Sequence, residues 1–151
     1  MRPLALVLGL ALLSACSQPA APTKPPPAPA AAKPAEISGV LTFEGVLPCA
    51  DCPGLKTELV LTPKGEGWAE GTYRLTETYL ERGGPMVTTG DWTTLRGDAT
   101  DPDATVYQLK PDKPEGRRAF LRVGQDEALR ILDGDMKTLP PGLPDRLERK
   151  R

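Results

Sequence analysis

Apolar side chains recur at every second position of this chain, in short runs broken by glycine and proline. Leu41 and Phe43 alternate with Thr42 and Glu44, and Leu55, Thr57, Leu59 and Leu61 alternate with Lys56, Glu58, Val60 and Thr62. Successive side chains of a strand point to opposite faces, so this period marks strands with one face buried. Tyr73, Leu75, Glu77 and Tyr79 share one parity within Trp68 to Leu80, which predicts a third strand, and Met86 to Leu95 predicts a fourth. Val106 to Lys110, Arg118 to Val123 and Ala128 to Leu132 supply three shorter ones. Gly65 and Gly67, Gly83-Gly84-Pro85 and Asp101-Pro102-Asp103 mark turns between them. No window of this region carries a helical period. The expected fold class is all-β, a small antiparallel meander that closes into a barrel or curls as a sheet. With 18 prolines, 15 glycines and 5% aromatic residues, its core is expected to be modest.

One carboxylate sits awkwardly in this pattern. A regular strand would turn Glu77 inward with Tyr73 and Tyr79. A bulge that turns it outward is the expected resolution, because a buried carboxylate is costly unless paired.

The two ends of the chain read differently. Met1 to Ala15 has one cation, Arg2, and then an apolar run from Leu4 to Leu13, the length of a secretory signal and too short to span a bilayer. Leu13-Ser14-Ala15-Cys16 resembles the lipobox of bacterial lipoproteins, which makes Cys16 the expected lipidation site and first mature residue. Several acyl chains on one cysteine would hold the protein to a membrane, since a single chain binds only marginally. Ser17 follows the acceptor where the lipoprotein sorting pattern uses aspartate for inner-membrane retention, so the expected location is the periplasmic face of the outer membrane. Residues 16–37 collapse to alanine, proline and lysine and are expected to be an extended tether. The folded domain is expected over 38–139, and 140–151, with Pro140-Pro141-Gly142 and the charged run from Arg146 to Arg151, as a basic disordered tail.

Composition removes several classes of function. The chain contains 0 histidines, which excludes imidazole-based zinc sites and nucleophiles activated by histidine. A net charge of -1 without a basic patch interleaved with aromatics gives no reason to expect a nucleic acid partner.

What chemistry remains is concentrated in Cys49-Ala50-Asp51-Cys52, set between Pro48 and Pro53-Gly54. In an oxidising compartment two thiols this close are expected to form a disulfide. As a staple it is weak, because so short a loop constrains the unfolded chain by roughly 2 kcal/mol. A thioredoxin-type exchange catalyst would need a helix N-terminus behind the attacking thiol, and Leu55 to Leu61 reads as a strand. Two soft sulfurs could instead hold Cu(I), with Met86 or Met136 as thioether supplements. Disulfide, redox pair and metal clamp all remain open on the residues alone, and no enzyme is expected.

Phe43-Glu44-Gly45, followed by Leu47-Pro48-Cys49-Ala50-Asp51-Cys52-Pro53-Gly54-Leu55-Lys56-Thr57-Glu58-Leu59, resembles the signature of the N-terminal domain of the NlpE copper-resistance and envelope-stress lipoproteins. Gly71 to Leu80, Gly90-Asp91-Trp92 and Leu129 to Asp133 extend the resemblance. It implies a distorted, lipocalin-like barrel, an outer-membrane anchor, copper as the candidate cofactor at Cys49 and Cys52, and an envelope-stress signalling protein as partner. Asp133-Gly134-Asp135-Met136 departs from the family pattern in the position of its glycine. A second expectation, from another class of function, is a lipocalin-like carrier with Leu59, Leu61, Tyr73 and Leu75 lining a cavity for a small apolar ligand.

Overall fold

The computed structural model describes residues 39–65, 67–110 and 116–151, all within one compact unit, Ala35–Arg151. The signal sequence, Cys16 and the tether lie outside the described residues.

Eight strands, β1 (Leu41–Leu47), β2 (Leu55–Pro63), β3 (Glu70–Tyr79), β4 (Met86–Arg96), β5 (Thr105–Lys110), β6 (Arg118–Val123), β7 (Ala128–Ile131) and β8 (Arg146–Arg149), form a closed antiparallel barrel in sequence order. The alternating residues of the sequence become the barrel's inner face. Phe43 pairs with Leu59, Leu59 with Leu75, and Leu61 with Tyr73, so same-parity side chains from three strands meet at one level. Every second position of β2 and β3 is buried accordingly. Trp92 and Tyr107 contribute the largest buried rings, 5.3 Å apart edge to face, and Trp68 stacks on Trp92 at 5.5 Å. Trp68 precedes β3, so the third strand starts two residues later than the alternation suggested.

A smaller apolar cluster lies outside the barrel. Val106 and Ala119 have the parity opposite to Tyr107 and Phe120, and they are covered by Leu132 and Met136 from the segment after β7. Leu132 N donates to Ala119 O at 2.9 Å, and Ala99 N donates to Met136 O at 3.0 Å, which straps this segment onto the outer wall. Met136 itself takes φ 62°, while neighbouring Gly134 does not use the left-handed region. Met136 thus carries a side chain in the left-handed region, packed against the outer apolar cluster.

Three expectations are corrected. The segment 140–151 is not a disordered tail throughout, because Arg146–Arg149 forms β8 and pairs with both β1 and β7. Leu147 is fully buried and supplies the closing contact; a domain ending at 139 would leave the barrel open. Glu77 is not turned out by a bulge. Its ladder with β2 and β4 is regular, its side chain is 7% exposed, and Arg118 Nη1 donates to its Oε1 from β6. A salt partner from the far wall, not a backbone irregularity, is what makes the inward carboxylate tolerable. Finally, Leu59, Leu61, Tyr73 and Leu75 do not line a cavity, for they pack into the central cluster with Phe43 and Trp92.

Candidate functional site

Connections in an up-and-down barrel alternate between its ends, so the β1–β2 loop with the cysteines and the β3–β4 turn leave from the same end. The register Leu55↔Tyr79 brings them side by side. Leu80 N donates to Gly54 O at 3.0 Å, and Arg82 Nη2 lies 2.9 Å from Asp51 Oδ2 while also donating to Asp51 O at 3.4 Å. The Arg82 guanidinium sits 5.3 Å over the Tyr79 ring. Asp51 is therefore tied to the neighbouring hairpin through a cation that is itself positioned on an aromatic face.

Local sequence explains the loop's path. Pro48 and Pro53 fix φ on either side of the pair. A Cβ at Gly54 would lie 2.6 Å from Val46 Cγ1, so any larger residue there would have to push that side chain aside. The loop brings Cys49 and Cys52 to disulfide distance, with sulfurs 2.11 Å and Cα atoms 5.3 Å apart. Both cysteines are half-buried, whereas Ala50, Asp51 and Pro53 are exposed. Cys52 Sγ packs 3.2 Å from Gly54 O.

A pair joined in this way presents no thiolate, so it cannot ligate Cu(I) until it is reduced. Asp51 adds only a hard oxygen, already engaged by Arg82. Met136 lies in the outer apolar cluster, away from the cysteine loop. Met86 opens β4 at the loop's end of the barrel and is 45% exposed. No cluster of three or more Cys, Asp or Glu side chains arranged to hold a metal occurs among the described residues. The oxidised loop does not fit copper; two sulfurs released by reduction are the donors the site could offer. The strand β2 follows directly after Gly54, so no helix dipole stands behind either sulfur to favour a reactive thiolate.

Two buried polar pairs escaped sequence reasoning. Glu77 with Arg118 lies inside the barrel toward the cysteine-loop end, in the direction that the parity of Glu77 with Tyr73 indicates. Tyr107 Oη donates to Asp126 Oδ1 at 2.6 Å. Asp126 is fully buried at φ 59° in the β6–β7 turn, and nothing local announces it. Burial and this hydrogen bond both push the Tyr107 phenol well above its ordinary value.

A family profile described as NlpE N-terminal domain matches residues 43–140 of this chain. The chain belongs to that family. The NlpE match stops short of β8, so the strand that closes the barrel lies beyond the matched residues. A crystal structure of a provisionally assigned lipoprotein from Shewanella oneidensis is similar at 24% identity over 72% of this chain and 86% of that chain, with a TM-score of 0.48. Among proteins with curated descriptions none matches.

Proposed function

We propose that this NlpE-family chain is a non-enzymatic, lipid-anchored protein of the cell envelope whose Cys49–Cys52 loop reports redox state. The observation that carries this reading is the joined cysteine pair on a loop held to the barrel by an exposed ion pair. Exchange with an external dithiol, itself oxidised to a disulfide, would break the S–S bond and leave two thiols, and Cu(I) is the soft ion these would take on losing their protons. Cys16 would carry the lipid at the periplasmic face of the outer membrane, and the barrel would contact an envelope-stress signalling protein.

Mass spectrometry of the native protein after alkylation tests the anchor and the pair together. Acyl mass on Cys16 and unmodified Cys49 and Cys52 are expected before reduction, with both labelled after it. Copper is tested by titrating Cu(I) into the reduced chain and into Cys49→Ser and Cys52→Ser. Tight binding lost in both variants supports the metal reading; equal affinity in all three removes it and leaves a structural disulfide. The carrier alternative has lost its basis, since its lining residues form the filled core.

A further inference from the structure

The barrel is not evenly laced. Along β4, Met86 to Thr93 pair with β3, but only Asp91 to Arg96 pair with β5. The ladder to β5 stops at Lys110, and the next residue is Pro111, which has no N–H to donate. Among the described residues, the stretch Met86 to Gly90 thus has a strand on one side only.

The direction of its backbone groups follows from two hydrogen bonds. Thr94 N donates to Ala69 O at 2.7 Å, toward β3, and Gly97 N donates to Ala104 O at 2.7 Å, toward β5. Both N–H and C=O of a residue in an antiparallel strand face the same neighbour, and the facing alternates along the chain. The register through β4 is unbroken, so even-numbered residues face β3 and odd-numbered ones face β5. Val87 and Thr89 therefore present their N–H and C=O groups to the open side.

The edge segment itself carries none of the usual charge or proline protections. Met86-Val87-Thr88-Thr89-Gly90 contains no charge and no proline, and Met86 and Val87 are 45% and 50% exposed. An unguarded edge of this kind is a template for an incoming strand. Two exposed cations flank it without an ion-pair partner among the described residues: Arg74, which pairs with Thr89 in the register, and Lys110, which ends β5 opposite Asp91, a carboxylate already engaged by Lys64 at 2.8 Å.

We infer that the upper edge of β4 binds an extended acidic segment of a partner protein by strand addition, the segment's backbone pairing with Val87 and Thr89 and its carboxylates meeting Arg74 and Lys110. This names the partner surface of the barrel proposed above and rests on that reading only for the existence of a partner. It involves neither cysteine.

The test uses the full mature chain with Cys16→Ser, oxidised, and a synthetic seven-residue peptide alternating glutamate and valine. Amide exchange followed by NMR should show Val87 and Thr89 exchanging fast in the free chain and protected by the peptide. A lysine-for-glutamate peptide should leave them unprotected, and Arg74→Glu should weaken the acidic peptide by roughly tenfold. Val87→Pro removes a donor that no described residue uses; it should keep the melting temperature of the parent and lose the peptide. Slow exchange at Val87 and Thr89 in the free chain would mean the edge is already covered, and would overturn the proposal. So would an acidic peptide that leaves both amides unchanged, or equal protection by the basic one. Cys49→Ser should leave the peptide's effect intact, which separates this result from the redox reading.

Discussion

Arg82 and Asp51 join two loops that are far apart in sequence, with Nη2 of one 2.9 Å from Oδ2 of the other. The contact sits beside the cysteine pair and holds the middle of its loop against the β3–β4 turn. Both side chains are more than half exposed, so its worth to global stability is small. Its consequence is local. Arg82→Ala should leave the unfolding free energy within about 0.5 kcal/mol of the parent. The same variant should speed reduction of the Cys49–Cys52 bond by dithiothreitol, read as the rate of thiol labelling. An unchanged rate would show that the clamp does not shield the sulfurs.

The disulfide itself should matter modestly to folding. Replacing both Cys49 and Cys52 by serine is expected to cost roughly 2 kcal/mol by urea denaturation, because the loop it closes is so short. A loss much larger than this would mean that the bond organises the barrel mouth rather than only its own loop.

Glu77 and Arg118 differ in how deeply they are held, with side chains 7% and 30% exposed. Removing the arginine strands a carboxylate inside the barrel, whereas removing the carboxylate leaves an arginine with a path to solvent. Arg118→Ala should therefore destabilise by about 3 kcal/mol and Glu77→Ala by less, with the paired change to two leucines close to neutral. Urea denaturation of the three variants checks the order, and equal losses in the two single variants would contradict the asymmetry.

How much of this was legible beforehand depended on whether the partners were local. The alternation of Leu55 to Leu61 alone announces β2, because one strand's burial pattern is written within it. Glu77 also announced its direction, but its partner Arg118 stands 41 residues away and only barrel closure brings them together. Arg82 and Asp51 likewise meet through the register of a hairpin that the alternation does not specify. β8 was hidden for a different reason. Arg146-Leu147-Glu148-Arg149 has a single apolar residue among charges, and one residue cannot show a period. Its inner face is real but only one side chain wide.

The Tyr107–Asp126 pair gives the fold an alkaline limit. The Tyr107 phenol is held above its ordinary value of 10.0 by burial first and by the Asp126 hydrogen bond second. The unfolded chain loses this proton near that ordinary value while the folded chain keeps it. The contribution is therefore complete below about pH 10 and is lost as pH rises beyond it, since the unfolded state then binds fewer protons. Tyr107→Phe should lower stability at neutral pH by about 1–3 kcal/mol, because Asp126 loses its hydrogen-bond donor and keeps only the Arg122 guanidinium at 3.9 Å, and should flatten the alkaline decline. Guanidinium titrations between pH 7 and 11 measure both effects.

The closing seam is where the chain is least forgiving. Leu147 is fully buried, pairs with Gly45 on one side and Leu129 on the other, and joins the central cluster. Gly45 is bare because a Cβ there would stand 2.5 Å from Arg146 O, so the two strands meet with no side chain between them. Two further bonds fasten the end of the chain, Arg149 N to Glu127 O at 2.9 Å and Lys150 N to Thr42 O at 2.8 Å. Leu147→Ala should cost about 2–5 kcal/mol by leaving a cavity that rigid ladders on both sides cannot collapse. Deleting residues 146–151 removes that side chain and also leaves β1 and β7 as unpaired edges, so the truncated chain should be insoluble or should lose its cooperative unfolding transition. Deleting Arg151 alone should change neither property. Soluble yield and the urea transition of the three proteins decide the matter, and a truncated chain that still unfolds cooperatively would show that the barrel closes without β8.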